Sequence, residues 1–214
     1  MLITRFGHAA LLIEADGTRL LVDPGVFCPA ETFELADLDG IVVTHQHPDH
    51  LDPERGRSLV DANPQATLLC DPETAGQVDF GDWQVNGDGV VTTVGALTVE
   101  GVGARHAVIL PEIPRIANVG VLVRDSGGTT LFHPGDTYEY TPPGVDVLAI
   151  PLSAPWAKVS ETVAFAQSFD ASVVLPIHDK TISDLAYPLY WGQVATHGGI
   201  DDARQLGQRD ETEV

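Results

Sequence analysis

Apolar residues along this chain gather in short runs rich in β-branched side chains, at 9–14, 19–23, 40–44, 67–70, 90–94, 97–102, 119–124, 129–133, 145–150 and 172–177. Runs of this length, separated by Gly, Asp and Pro clusters, read as strands. Asp16-Gly17 and Ser126-Gly127-Gly128 sit between paired runs and read as hairpin turns. Helical patterning is sparser. Residues 53–62 follow Asp52 as a capping acid, residues 72–78 follow Asp71, and residues 160–169 carry Glu161 in their first turn. Residues 183–196 form an apolar helix interrupted by Pro188. Strands dominate the first half, strand–helix alternation follows, and no linker or repeat intervenes. The pattern predicts one α/β (α+β) domain over residues 1–204, with two mixed sheets face to face and helices outside. The polar, acidic stretch 205–214 is expected to be a flexible tail.

Composition narrows the partners. The chain has 214 residues, of which 43% are hydrophobic, which excludes a disordered polymer. Eleven Lys and Arg stand against 31 Asp and Glu, a formal charge of −20. Such a field repels nucleic acid and anionic lipid. A small-molecule substrate is the expected partner, with no nucleic acid, no membrane, and self-association left open. Cys28 and Cys70 fall in no paired motif, and residues 1–8 lack a basic-then-apolar leader pattern. A cytoplasmic setting is the expectation.

The histidines carry the chemistry. Three of eight fall within six residues, in His45-Gln46-His47-Pro48-Asp49-His50, directly after a buried-strand pattern and before a helix. Ligands gather at the carboxyl ends of strands in α/β proteins. Extended residues at i and i+2 point the same way, so His45 and His47 can share one metal ion, and the turn redirects Asp49 and His50 toward a second. Imidazoles with a carboxylate suit zinc, manganese or iron.

This segment resembles the His-x-His-x-Asp-His signature of the metallo-β-lactamase superfamily, and further motifs of that family follow in order. Asp23 in Leu21-Val22-Asp23-Pro24-Gly25 resembles its strand-end supporting Asp. His106 in Gly103-Ala104-Arg105-His106 resembles the isolated third ligand of the first metal. Asp136 in His133-Pro134-Gly135-Asp136-Thr137 resembles the bridging carboxylate, and His178 in Leu175-Pro176-Ile177-His178-Asp179 the last ligand of the second metal. The opening Phe6-Gly7-His8-Ala9-Ala10 and the stretch from Ala149 to Trp156 are similar to a compact branch that includes L-ascorbate-6-phosphate lactonase-like proteins. Beyond Lys180 no shared motif continues.

The resemblance implies a four-layer αββα sandwich and two divalent ions, Zn²⁺ first and Mn²⁺ or Fe²⁺ as substitutes. His45, His47 and His106 would hold one ion, Asp49, His50 and His178 the other, with Asp136 between. Asp23, His8 and His133 would support the ligands from behind, and Trp156 would line the pocket. The implied activity is hydrolysis of a small lactone, ester, amide or phosphodiester by a hydroxide bridging the metals, with Asp49 handling the proton. The alternative is a non-catalytic metal-binding or sensor module on the same fold; degenerate ligand positions would mark it, and none of the seven is degenerate.

Overall fold

The computed structural model of the chain describes residues 1–214. Strands β1 (Leu2–Gly7), β2 (Ala10–Ala15) and β3 (Thr18–Val22) make an antiparallel meander. Its second turn is Asp16-Gly17, with φ of 53° and 77°. Two successive positive φ values give the turn whose twist matches paired strands. From β3 the sheet continues in parallel through β4 (Gly40–Val43), β5 (Thr67–Cys70) and β6 (Trp83–Val85). A 3-10 turn (Ala30–Glu34) makes the crossover from β3 to β4, and helices α1 (Arg55–Ala62) and α2 (Pro72–Ala75) make the two that follow. Asp52 Oδ1 accepts from the N–H of Glu54 and Arg55 at the entry to α1, and Asp71 accepts from Glu73 and Thr74 at the entry to α2.

The second sheet repeats the plan. Strands β7 (Val91–Val94), β8 (Leu97–Val102), β9 (Gly120–Arg124) and β10 (Thr130–His133) are antiparallel. Strands β11 (Val147–Pro151), β12 (Val173–Ile177) and β13 (Asp202–Ala203) then run parallel to β10, with α3 (Val159–Ala166) and α4 (Tyr187–His197) as crossovers.

Alternation along the strands builds three apolar layers. In β4, Val42 points to the core between the sheets, while Ile41 and Val43 point out beneath α1. In β12, Val173, Leu175 and Ile177 face the inner core and Val174 faces α3 and α4. Strands covered on both faces read as unbroken apolar runs, which is why both were visible in the sequence. The result is the expected helix–sheet–sheet–helix sandwich. Cys28 and Cys70 are free thiols buried in the layer beneath α1.

Two expectations are corrected. Pro188 does not interrupt the last helix; it lies in the first turn of α4, where its missing N–H leaves no helical bond unmade. Nor is 205–214 a loose tail. Leu206 is buried, Arg209 N–H donates to Arg5 O at 2.6 Å, and β14 (Glu211–Glu213) pairs antiparallel with β1. The reason is β1 itself, whose outer edge would otherwise expose a row of unpaired backbone groups. Arg5 ties the region inward, donating to Leu206 O at 3.0 Å and pairing with Asp179 at 2.5 Å.

Candidate metal centre

The centre lies where strand ends of the two sheets meet. The chain leaves β3 at Asp23 and β12 at His178 with φ of 50° and 55°, and leaves β1 at His8 with φ of 48°. Left-handed backbone at three non-glycine residues around one point is strain that the surrounding structure must hold in place. Beyond β4, His50 N–H and Leu51 N–H both donate to His47 O, closing the turn that separates His45 and His47 from Asp49 and His50. Gly25 underlies that turn. A Cβ there would stand 1.9 Å from Asp49 O, so only glycine lets the two backbones approach this closely.

Two groups of donors result. His45, His47, His106 and Asp136 have ligand atoms within 4.8 Å of one another, as do His8, Asp49, His50 and His178. His45 Nε2 and His47 Nδ1 are 3.1 Å apart. Asp136 sits between the groups: its Oδ1 lies 3.0 Å from His50 Nε2, and its Oδ2 lies 3.2 Å from His178 Nε2 and 3.4 Å from His106 Nε2.

Hydrogen bonds behind the rings decide which nitrogen faces inward. His50 Nδ1–H donates to Asp23 Oδ2 at 2.6 Å, His106 Nδ1–H to Ala107 O at 2.7 Å, and His178 Nδ1–H to Ser153 O at 2.6 Å. Thr44 Oγ1 donates to Asp23 Oδ2 at 2.7 Å and lies 3.1 Å from His45 Nδ1. Each such bond fixes a tautomer with an Nε2 lone pair free for a metal ion. Those lone pairs have no other use: His50 Nε2, His106 Nε2, His178 Nε2 and Asp136 Oδ1 are buried without a hydrogen-bond partner. Buried polar atoms are almost always satisfied. Four orphans converging on one space, all of them nitrogen or carboxylate oxygen, are the donor set of a metal-binding site.

The electrostatics agree. Burial holds His45 and His47 below the ordinary imidazole value, so they present neutral rings. Burial also opposes charge on His50 and His178, yet Asp136 and its neighbours overcome it; His50 is held well above its ordinary value and His178 is pushed up to about 9. Asp136 is buried too, yet His178 and His50 hold it well below the usual carboxylate range. Asp49 is held low against burial by the neighbouring His178 and His8 rings. Around Asp136 the centre stabilises positive charge on His50 and His178, and metal ions compete for the same atoms as protons.

All seven expected ligand residues are therefore brought together, and the supporting residues divide. Asp23 is fully buried behind His50. His8 Nδ1 accepts from Lys180 N–H at 3.2 Å, so Nε2 carries the proton and donates to Asp49 Oδ2 at 3.2 Å. Burial lowers His8 to about 4, which keeps it neutral. His133 serves the backbone instead. Its Nδ1 accepts from Gly135 N–H and its Nε2 donates to Ala9 O, which shapes the loop before Asp136. Trp156 does more than line a pocket, since its indole N–H donates to Asp136 Oδ2 at 2.9 Å.

Sequence reasoning missed Thr44, Gly25, Asn118 and the Ser153 carbonyl. Asn118 is buried, accepts Asp136 N–H at 2.8 Å and donates to Pro134 O at 2.9 Å. Gly25 lay inside a quoted motif and could have been questioned as a close-approach position. Asn118 carried no signal, because its partner is sixteen or more residues away.

Comparison with known proteins supplies the family. The beta-lactamase superfamily domain matches residues 2–178, ending on the last histidine of the centre. Protein Rv0786c of Mycobacterium tuberculosis is 43% identical over 196 residues, covering 91% of each chain. A UPF0173 metal-dependent hydrolase of Methylobacterium nodulans is 28% identical, covering 83% of this chain and 84% of its own. Among solved structures, the metallo-beta-lactamase fold protein YhfI of Bacillus subtilis superposes with a TM-score of 0.72 at 16% identity, over 99% of this chain and 98% of that one. The chain belongs to the beta-lactamase superfamily and is a metal-dependent hydrolase of the metallo-β-lactamase fold.

Proposed function

We propose that the chain binds two divalent ions, zinc by preference, and hydrolyses a small lactone, ester, amide or phosphodiester. The observation that carries this is the convergence of four buried, unpartnered donor atoms around Asp136. His45, His47 and His106 would hold one ion and Asp49, His50 and His178 the other, with Asp136 shared. Three imidazoles around an open position suit catalytic zinc. Such ions supply a water acidic enough to ionise near neutral pH and an electrophilic grip on the substrate oxygen.

The chain's own groups do the rest. Asp49 is the carboxylate that keeps contact with solvent, its side chain 23% exposed against 5% for Asp136. It would take the proton of the attacking water and return it to the leaving group. His8 Nε2–H keeps that carboxylate turned toward the centre. Asp23 and the Ser153 and Ala107 carbonyls hold the ligand rings against rotation. No helix is long and apolar enough to cross a membrane.

The test is elemental analysis of the purified chain, followed by hydrolysis of generic esters, lactones and phosphodiesters before and after chelation. About two ions per chain, with hydrolysis lost to chelator and restored by Zn²⁺, Mn²⁺ or Fe²⁺, is the expected result. A chain that takes up no metal when supplied, or that is metal-loaded and hydrolyses nothing, overturns the reading.

A further inference from the structure

The connection between β8 and β9 leaves large apolar side chains in water beside the buried centre. Val108, Leu110 and Ile113 are 50%, 53% and 45% exposed. Clustered exposed apolar side chains mark a binding surface. Two clefts flank this connection. One, of about 50 Å³, runs out from His47 and His106 between Ile109, Ile113 and Ile116. The other, of about 320 Å³, lies between Val108, Tyr138 and Trp156 and reaches Glu139 and Glu161. That volume is at the lower end of small-molecule sites, roughly 300–1,000 Å³. Trp156 joins cleft to centre, because the ring that walls the cleft carries the N–H bonded to Asp136.

The charges around these clefts are unfavourable for an anion. Arg115 is the one cation lining either cleft, and it is committed: Nε donates to His106 O and Nη2 to Glu139 Oε1, both at 2.6 Å. Lys158 lines neither, is 78% exposed, and approaches Glu161 at 3.5 Å. A phosphate would find no free guanidinium or ammonium in these clefts and would meet two carboxylates. An uncharged apolar group would cover Val108 and the Trp156 face and meet no unpaired charge.

We propose that the cleft between Val108, Tyr138 and Trp156 receives an uncharged, apolar group of the substrate. This rests on the hydrolase reading and narrows it. The substrate is then a neutral ester, lactone or amide with an apolar substituent, in place of a phosphodiester or a phosphorylated sugar.

The test uses the full chain, metal-free and zinc-loaded. Hexanamide, an uncharged apolar probe, should shift tryptophan emission saturably, whereas acetamide and inorganic phosphate should not, and Trp156→Phe should abolish the shift. In the zinc-loaded chain, kcat/KM for p-nitrophenyl hexanoate should exceed that for p-nitrophenyl acetate by at least about tenfold, since each buried methylene favours binding. Val108→Asp should bring that ratio toward one. A Trp156-dependent shift without hydrolysis of any ester removes the hydrolase reading while the apolar cleft stands. Hydrolysis at equal rates for both esters, faster turnover of bis(p-nitrophenyl) phosphate, or a shift that survives Trp156→Phe removes the apolar cleft while the hydrolase reading stands.

Discussion

The first sheet delivers four of the seven candidate ligands on one six-residue loop after β4, whereas the second delivers His106, Asp136 and His178 on three separate connections after β8, β10 and β12. The two sheets are otherwise alike, each of seven strands, antiparallel at first and then parallel. In the first, one turn decides the positions of His45, His47, Asp49 and His50 together. In the second, each donor depends on its own strand and its own local brace: Ala107 O for His106, Asn118 for Asp136, Ser153 O for His178. One half concentrates the chemistry and the other distributes it. Damage to the loop should therefore reach both proposed metal positions, and damage to the second sheet should reach one, except at Asp136.

That exception gives the largest expected effect. Asp136 lies within 3.4 Å of ring nitrogens from both groups. Asp136→Ala should leave both positions weak, with bound metal falling below about one ion per chain. The loss of affinity should exceed the roughly 10–100-fold that removing an outer partner costs. His106→Ala and His178→Ala should each lose about one ion and keep the other. Elemental analysis after dialysis reads the difference. Loss of both ions in all three variants would mean that the second sheet is as concentrated as the first.

Asp49→Asn comes next, since it separates binding from turnover within the loop. The amide keeps an oxygen donor and the shape of the turn but cannot accept a proton at ordinary pH. Metal content should stay above one ion per chain, while kcat falls by about 10²–10⁴-fold, the usual range for a general acid–base group. Full activity in that variant would remove Asp49 from proton transfer and leave it a ligand.

Gly25→Ala tests whether the loop stands as a unit on the strand behind it. A Cβ at 1.9 Å from Asp49 O requires the backbone to move. Overpacking of this kind costs about 3 kcal/mol, or a fall in Tm of roughly 6–12 °C for a chain of this size. Both metal positions should weaken together, because His47, Asp49 and His50 shift as one. A variant that melts earlier yet binds two ions with unchanged affinity would show that the turn is braced from elsewhere.

The same contrast explains what could be read in the sequence. A loop that packs three histidines and an aspartate into six residues announces metal chemistry without any knowledge of the fold. His106 and His178 announce nothing alone, since an isolated histidine after a strand is as often a buried hydrogen-bonding group, as His133 turns out to be. Their places followed from motif order, and only the fold shows them converging. Strands β4 and β12 were legible because they are apolar on both faces. Strand β1 was not, because Arg5 interrupts its pattern and is buried by partners distant in sequence, Asp179 and the Leu206 carbonyl. Asn118 and the donation from Trp156 to Asp136 depend on residues eighteen and twenty positions apart, which no local pattern encodes.

The smallest expected effect tests how far the centre depends on the terminus. Strand β14 pairs with β1, Arg204 Nη1 donates to Thr212 Oγ1 at 2.6 Å, and the two chain ends meet where Val214 N–H donates to Met1 O at 2.9 Å. Removing residues 211–214 deletes these contacts and opens one edge of β1. It spares Leu206 and Arg5, and with them the ion pair to Asp179 next to His178. A few part-buried edge bonds contribute about 1 kcal/mol net, so Tm should fall by roughly 2–4 °C and metal content should not change. The open edge should also raise self-association, visible in sedimentation. Loss of an ion on truncation would give the opposite answer: register at the β1 edge would then be transmitted through Arg5 and Asp179 to His178, and the distributed half of the centre would extend to the end of the chain.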